Sequence, residues 1–232
     1  MPIPVAENLI RFRSGASHRR PIAPAWRRVV RRGLDIVLAA TALLLLAAPM
    51  LVIALLIRLT SPGPALFHQI RLGQYERRFA MLKFRTMRTD CSDELHRAFV
   101  TQLLQYKDPR SGEGAFKLDP DPRVTRIGRV LRRTSADELP QLINVLRGEM
   151  SLVGPRPMLS WEDELLTPAQ RERFAVPAGM TGLWQVSGRS GLSLTEALEL
   201  DVRYVRRAGL LLDLLILAKT VWVVLVPRGR AR

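Results

Sequence analysis

The most informative stretch of this chain is Ser135-Ala-Asp-Glu-Leu-Pro-Gln-Leu-Ile-Asn-Val-Leu-Arg-Gly-Glu-Met-Ser-Leu-Val-Gly-Pro-Arg-Pro157. Between positions 139 and 146, apolar residues recur three and four positions apart, which predicts an amphipathic helix. Two adjacent carboxylates, Asp137 and Glu138, stand at the start of that helix. After it, a proline on each side of Arg156 stiffens the backbone. The stretch therefore brings two acids and one rigidly held cation close together in sequence.

The composition limits the kinds of partner that the chain can have. It has 232 residues and a formal net charge of +15, from 36 Lys and Arg against 21 Asp and Glu. This length supports one domain with its own core plus an anchor. The charge fits nucleic acid, anionic lipid or a phosphorylated substrate. Cys91 is the single cysteine, so an internal disulfide is excluded, and no Cys and His grouping has zinc-ligand spacing.

We divide the chain into three parts. Residues 1–25 are basic and contain prolines but no apolar period, which predicts a disordered tail. Residues 26–59 form a membrane anchor, whose segment 36–57 carries no charge. As a straight helix this segment reaches about 33 Å, enough to cross the hydrocarbon core of a bilayer. Residues 60–232 form the domain that carries the candidate chemistry.

Two features of the anchor argue against simple crossing. Pro49 removes a backbone donor inside the apolar run, which bends or breaks a helix. Arginines flank both ends of the run, whereas a spanning helix keeps its positive side in the cytoplasm. A re-entrant helix that bends at Ala48-Pro49 and leaves on the face by which it entered satisfies both features. A single-pass helix with a tolerated proline is the alternative.

The rest of the chain predicts an α/β domain that is mostly helical. The predicted elements are strands at 65–70 and 79–84, helices at 92–106 and 193–207, an apolar helix at 210–226, and a loop at 108–122. Residues 127–133 lead into the amphipathic helix described above. Ser193 and Glu196 have the spacing of a capping box. Asp213 and Lys219 each cost about 3 kcal/mol at a bilayer centre, so the last helix is expected to be interfacial. The predicted fold class is α/β, membrane-associated, with a re-entrant, proline-kinked helix and interfacial amphipathic helices.

Asp137 and Glu138 have a structural interpretation as well as a chemical one. Ser135 and Glu138 have capping-box spacing, and the helix dipole favours acids in a first turn. Four arginines surround the pair in sequence: Arg132, Arg133, Arg147 and Arg156. That positive charge keeps carboxylates ionised and attracts a diphosphate. Two adjacent carboxylates also suit Mg²⁺, and a carboxylate can attack phosphorus as a covalent nucleophile.

Two further segments carry weaker signals. Lys83-Phe84-Arg85 alternates cations around an apolar residue, as a half-buried strand does. Residues 179–191 are rich in glycine, which is compatible with a nucleotide or sugar pocket. They lack the order of a Walker loop or a dinucleotide fingerprint. Trp184 in this segment is expected to be a core residue.

Together these segments resemble the bacterial sugar transferase family, the small monotopic phosphoglycosyl transferases. The matching motifs are Lys83-Phe-Arg-Thr-Met87, Asp121-Pro-Arg-Val-Thr125 with Gly128, residues 131–157, residues 179–189, Leu200-Asp-Val-Arg-Tyr-Val205 and Leu212-Asp-Leu214. The resemblance covers residues 30–227. Its most specific segments are Asp-Glu-Leu-Pro-Gln-Leu and Val-Gly-Pro-Arg-Pro.

The resemblance implies an enzyme that moves a sugar-1-phosphate from a UDP-sugar to undecaprenyl phosphate and releases UMP. It implies the starting step of exopolysaccharide or capsule assembly, with galactose or glucose as the sugar. The implied location is the bacterial inner membrane, with the catalytic domain on the cytoplasmic face. The implied partners are the UDP-sugar, the lipid acceptor and membrane lipids, with room for a homo-oligomer or for polysaccharide-assembly partners. Nucleic acid is not an expected partner.

The resemblance also implies roles for individual residues. Asp137 is the expected nucleophile, and Glu138 is expected to help it hold Mg²⁺. The residues expected to bind substrate are Lys83, Arg85, Arg132, Arg156, Arg189, Asp201 and Tyr204. The family often has serine before the membrane proline. Ala48 stands there in this chain, so the bend at Pro49 lacks a hydroxyl that could satisfy the freed backbone.

Two other functions fit parts of the sequence. Direct glycosyl transfer by a carboxylate pair predicts UDP, rather than UMP, as the released nucleotide. A membrane-tethered basic module would bind anionic lipid or nucleic acid without catalysis. The chain has only four Trp, three Tyr and seven Phe, few for a protein that stacks single-stranded bases.

Overall fold

The computed structural model describes residues 24–88, 121, 123–187 and 192–225. The helices are α1 (Ala25–Thr60), α2 (Arg126–Thr134), α3 (Gln141–Arg147), α4 (Leu183–Ser187), α5 (Leu194–Arg207) and α6 (Leu210–Leu225). The strands are β1 (Leu66–Leu72), β2 (Arg78–Phe84), β3 (Ser151–Val153) and β4 (Gly179–Thr181). Short 3₁₀ turns lie at Gln74–Glu76, Ala136–Glu138, Asp163–Leu165 and Gln170–Ala175.

The described part of the chain is mostly helical, with two small sheets. β1 and β2 pair antiparallel, and β3 pairs with β4 in parallel. This confirms the predicted class at the level of helices around a small sheet. The predicted helix at 92–106, the loop at 108–120, almost all of the predicted tail and Arg189 lie outside the described residues.

Helix α1 is one continuous element of 36 residues, about 54 Å at the helical rise. By length and composition it can cross a membrane. Asp35, Ala39 and Ile57 are buried, and partly buried residues between them recur three and four positions apart. Most of its other residues between positions 36 and 57 are apolar and exposed. Pro49 lies inside the helix, and the bend at that point and the re-entry stay predictions.

The buried stripe of α1 packs against the domain over both halves of the helix. Ala39 joins a cluster with Phe79 of β2 and Leu142 of α3. Ile57, near the other end, joins Phe84 of β2 and Leu131 of α2. Because these partners belong to one domain, the helix lies along the domain instead of projecting from it.

The hairpin and the helix at 193–207 confirm two local predictions. β1 pairs with β2 so that Leu66 lies opposite Phe84. In α5, the Ser193 side chain accepts a hydrogen bond from the Glu196 amide, and the Glu196 carboxylate accepts from the Ser193 amide. This is the capping box that the spacing predicts.

The acid pair does not lie in the first turn of the predicted helix. Ser135 has a φ of 59°, in the left-handed region, which ends α2. Asp137 and Glu138 then occupy their own 3₁₀ turn, and α3 begins at Gln141. The Ser135 side chain forms no cap hydrogen bond, so the capping-box interpretation of the pair is wrong. Since Ser135 does not have the extended backbone of an N-cap residue, its hydroxyl is not placed to accept from the Glu138 amide.

Helix α3 is fixed to β2 through one buried amide. The Asn144 side chain donates to the Ala80 carbonyl at 2.8 Å and accepts from the Leu82 amide at 3.0 Å. Gly148, with a φ of 80°, ends the helix as the sequence predicts. The turn that carries the acids therefore precedes a helix whose position on the sheet is fixed.

Gly128 supplies a test of how closely α2 packs on the end of the hairpin. A Cβ at this position would lie 2.1 Å from the Thr86 carbonyl oxygen, whereas a Cβ at Gly33 of α1 would meet nothing within 4 Å. We expect Gly128→Ala to destabilise the protein by about 2–3 kcal/mol, because the backbone of Thr86 must move. Gly33→Ala should be neutral or stabilising, since alanine favours a helix. Thermal unfolding of both variants in detergent measures the difference, and equal midpoints would contradict the close packing.

Candidate active site

The 3₁₀ turn Ala136–Glu138, which we call the acid turn, lies next to two cations from different elements. Asp137 is buried, and the Glu138 carboxylate lies 3.6 Å from the Lys83 ammonium of β2. The same Glu138 oxygen lies 3.8 Å from the Arg156 guanidinium. The structure therefore brings together four of the residues predicted for the site, although Lys83 and Arg156 are far from each other in sequence.

The ammonium of Lys83 has an unusual proton affinity. The pKa of Lys83 is lowered to about 8, chiefly by burial, and the charges of Arg156 and Arg71 contribute to this lowering. Glu138 and Asp137 oppose this by favouring the charged form. Lys83 thus titrates near physiological pH, and its charge depends on the anions around it.

The segment Val153–Met158, which we call the arginine turn, is held through its backbone carbonyls. Three arginine side chains donate to these oxygens: Arg31 to Val153, Arg71 to Pro157 and Arg173 to Arg156. Two backbone amides also donate to them: Leu72 to Met158 and Gly179 to Pro155. The two prolines have no N–H, so most of the contacts that fix this backbone are made by its carbonyl oxygens. The Gly154 amide adds one contact by donating to the Thr181 oxygen at 2.8 Å. Three arginine side chains and two backbone amides, from four distant segments, meet here, and Arg156 is carried at the centre.

Glycines let another segment reach the turn. A Cβ on Gly179 would lie 2.1 Å from the Gly154 amide nitrogen, and a Cβ on Gly182 would lie 2.4 Å from the Gly154 oxygen. The described part of the glycine-rich segment therefore serves close backbone packing against the arginine turn. Trp184, in the same segment, is buried as predicted and lines a cleft beside Arg156.

Four other residues predicted for the site have hydrogen-bond partners outside the acid turn. They are Arg85, Arg132, Asp201 and Tyr204. Arg132 donates to the Thr86 hydroxyl at 3.0 Å. Arg85 donates to the backbone oxygens of Ser61 and Pro62, just after α1. Asp201 is paired with Arg173 at 2.5 Å, and burial raises the pKa of this acid to about 6 against the opposing charge of Arg173.

Tyr204 is fully buried in the core. Its hydroxyl accepts from Arg31 at 2.9 Å and donates to Asp213 at 2.6 Å. Burial raises the pKa of Tyr204 and also that of Asp213. These contacts tie α5 and α6 to α1.

Sequence reasoning missed three arginines that hold the backbone of the arginine turn. Arg71 and Arg173 are buried, and Arg31, assigned from sequence to the charged flank of the membrane segment, turns into the domain. Each has an acidic partner: Glu162 at 4.0 Å for Arg71, Asp201 for Arg173, and Asp213 at 3.4 Å for Arg31. No local pattern marks Arg71 or Arg173. Asp35 is an acid directly before an apolar run. It is the sequence feature that could have indicated polar contacts near the start of α1.

One known family matches most of the chain. The family model described as bacterial sugar transferase matches residues 26–227. The chain therefore belongs to the bacterial sugar transferase family, as its motifs predicted, and it is an enzyme of the transferase class. Both segments of the site, the acid turn and the arginine turn, lie inside the matched region.

Individual relatives are similar over most of this chain. The exopolysaccharide production protein ExoY of Sinorhizobium fredii is 39% identical over 201 residues, which are 87% of this chain and 88% of that protein. The undecaprenyl-phosphate galactose phosphotransferase of Salmonella typhimurium is 38% identical over 87% of this chain but 42% of its own length. The undecaprenyl-phosphate glucose phosphotransferase of Komagataeibacter xylinus is 41% identical over 88% of this chain and 37% of its own length.

The pair of Asp201 and Arg173 offers a test of what holds the arginine turn. We expect Asp201→Asn to destabilise the protein by about 3–5 kcal/mol, because it leaves the buried Arg173 guanidinium without its counter-charge. Glu172→Gln, which removes an acid from the exposed pair with Arg206, is the matched control and should change stability little. Urea unfolding in detergent measures both. A stable Asp201→Asn variant with only a raised donor KM would instead identify Asp201 as a substrate contact.

Proposed function

We propose that this enzyme transfers a sugar-1-phosphate from a UDP-sugar to undecaprenyl phosphate and releases UMP. The observation that carries the proposal is the buried Asp137 beside Glu138, on a turn that faces Lys83 and Arg156. Anionic and cationic groups in this arrangement suit a diphosphate that is attacked by a carboxylate. The names of the relatives, two of which are undecaprenyl-phosphate sugar phosphotransferases, support the same donor and acceptor.

The reaction has two steps at one phosphorus atom. In the first, a carboxylate oxygen of Asp137 forms a bond to the phosphorus that bears the sugar. The bond from that phosphorus to the bridging oxygen breaks, and UMP leaves with the oxygen and its electron pair. In the second, an oxygen of undecaprenyl phosphate bonds to the same phosphorus, and the bond to Asp137 breaks. The carboxylate is regenerated and the product is a lipid diphosphate sugar.

The cations of the site stabilise the charge that this chemistry moves. A phosphoryl transfer needs little covalent work from a protein, so positioning and charge neutralisation supply most of the rate. Arg156 presents a planar set of donors to phosphate oxygens, and its backbone is held by the contacts of the arginine turn. Lys83 adds a second positive charge near the same Glu138 oxygen. Both groups are therefore placed to bind the diphosphate while Asp137 attacks.

The acid pair also fits a magnesium ion. Within the described ranges, no group of three or more His, Cys, Asp or Glu residues is close enough to hold a metal. Mg²⁺ typically binds one or two carboxylates and takes its other ligands from water and substrate phosphates, which matches Asp137 with Glu138. When bound there, Mg²⁺ would withdraw charge from the diphosphate oxygens.

The packing of α1 supports a helix whose two ends lie on the same side of the bilayer. Ala39 and Ile57, near opposite ends of its apolar segment, both pack on the catalytic domain. A helix that crossed the bilayer would separate these two contacts by the thickness of the hydrocarbon core. The exposed apolar residues of α1 and α6, among them Leu44, Leu51, Leu211 and Trp222, would then lie against lipid. We propose a re-entrant arrangement, bent at Ala48-Pro49, on the cytoplasmic face of the inner membrane.

Removal of the nucleophile tests the proposed chemistry. We expect Asp137→Asn to lower UMP release by at least about a thousandfold, because the amide cannot form the phosphosugar ester. The full chain in vesicles of phosphatidylethanolamine and phosphatidylglycerol is supplied with Mg²⁺, undecaprenyl phosphate and a panel of UDP-sugars that includes galactose and glucose. Released nucleotide is identified by chromatography.

The control for this experiment is Glu164→Gln, which removes one negative charge from an exposed position. It should keep wild-type activity, and both variants should stay in the vesicle fraction. Release of UDP in place of UMP would indicate direct glycosyl transfer. Full activity of Asp137→Asn would refute the covalent mechanism.

The pKa of Lys83 predicts an alkaline limit on activity. Because Lys83 loses its proton as pH rises through about 8, the positive charge beside Glu138 is present below that pH and lost above it. We therefore expect turnover to decline above pH 8. Lys83→Arg keeps its charge to a much higher pH, so its alkaline limb should move upward, even if its maximal rate is lower.

Lys219→Arg on the exposed side of α6 is the matched control for this substitution. It should retain the wild-type pH profile. An unchanged alkaline limb in Lys83→Arg would show that another group sets the limit.

A further inference from the structure

The first turns of α1 send polar side chains into the catalytic domain. Arg32 donates to the carbonyl oxygens of Val145 at 2.5 Å and Leu146 at 2.7 Å. These are among the last carbonyls of α3, where the regular helical pattern of donors ends. The Val145 oxygen also accepts from the Gly148 amide at 3.0 Å. A cation is also favoured at this end of a helix by the dipole. Arg32 therefore acts as a C-terminal cap for α3, the helix that follows the acid turn.

Arg31, the neighbouring residue, reaches a different element. Its guanidinium contacts the Ser151 hydroxyl at 3.2 Å and the Val153 carbonyl oxygen, at the two ends of β3. One helical turn further on, Asp35 accepts from the Leu152 amide at 2.9 Å. Together Arg31 and Asp35 hold β3 along its length, directly before the arginine turn.

A buried network keeps Arg31 in this position. The guanidinium lies 3.4 Å from the Asp213 carboxylate, and both it and Asp213 bond the Tyr204 hydroxyl. Burial raises the pKa of Asp213, whereas the charge of Arg31 lowers it, so the two groups favour each other's charged forms. Arg31 thus has charge-assisted contacts on one side and the backbone of β3 on the other.

We infer that Arg31 and Arg32 are positioning residues that set the distance between the acid turn and Arg156. The acid turn precedes α3, which contacts Arg32, and the arginine turn follows β3, which contacts Arg31. Arg31 and Arg32 are adjacent residues of one helix. Adjacent side chains on a helix project in directions about 100° apart, so one rigid element can hold both. The helix that anchors the protein in the membrane is in this way part of the catalytic scaffold. This inference rests on the proposed function of the site.

The two residues should affect different kinetic constants. Loss of Arg31 loosens the arginine turn, which binds the donor, so Arg31→Met should raise the donor KM about tenfold with a smaller change in kcat. Loss of Arg32 loosens α3 behind the acid turn, so Arg32→Met should lower kcat about tenfold with a smaller change in KM. Arg28→Met removes the same charge from an exposed position of α1 and should leave both constants near the wild-type values.

A double-mutant cycle shows whether Arg31 acts through Arg156. If it does, Arg31→Met should raise KM in the wild-type background but add little in an Arg156→Ala background, because the group being positioned is absent. UMP release is measured in vesicles of phosphatidylethanolamine and phosphatidylglycerol with the best UDP-sugar of the panel. If Arg31→Met does not fold, Arg31→Lys replaces it in the cycle, since lysine keeps the charge next to Asp213 but cannot reproduce the fork of donors.

The possible results distinguish a failure of this inference from a failure of the proposed function. Strictly additive effects of the Arg31 and Arg156 substitutions, with an active wild type, would overturn the positioning role alone. Equal losses in Arg28→Met and Arg31→Met would also overturn it, because they would reflect charge near the membrane. A wild-type protein that releases no UMP from any donor would refute the proposed function itself.

Discussion

The structure depends on how the backbone of the arginine turn is held. Half-buried Arg31 of α1 and two buried arginines, from β1 and from the turn at Gln170–Ala175, donate to its carbonyl oxygens. A hydrogen bond from a charged donor is stronger than a neutral one, and a buried carbonyl without a partner is costly. The prolines at 155 and 157 limit the conformations of the turn, and the arginines select one of them. This backbone conformation sets the position of the Arg156 side chain.

Charge balance explains why so many cations can be buried in one place. Arg31, Arg71 and Arg173 each face a carboxylate, from Asp213, Glu162 and Asp201 respectively. Removing one partner of such a pair leaves an uncompensated buried charge, so these pairs are kept together. Lys83 and Arg156 instead share the single carboxylate oxygen of Glu138 at 3.6 and 3.8 Å, beyond ordinary hydrogen-bond length. Two cations from different elements therefore lie beside the acid turn.

The sequence predicted the parts of this arrangement that depend on local pattern. The apolar period of α3, the hairpin and the capping box of α5 follow from spacing within a few residues, and the acid pair stood out by its arginine neighbours. The contacts of the arginine turn join residues that are far apart in sequence, so local spacing does not predict them. Arg31 and Val153 are 122 positions apart, and Arg71 and Pro157 are 86 positions apart. The left-handed Ser135 was missed for a similar reason, because the tertiary position of α2 and α3 sets its backbone rather than its own preference.

The catalytic domain holds α1 by polar groups at both ends. Arg31 and Arg32 bind the domain near the start of the helix, and Arg85 donates to the backbone of Ser61 and Pro62 just after its end. Between these points the buried stripe packs on β2, α2 and α3, while the opposite side of the helix exposes apolar residues. Burial of those residues in lipid would draw the helix to a fixed depth. Since the same helix holds both halves of the site, the depth of the helix and the geometry around Asp137 are set by one element.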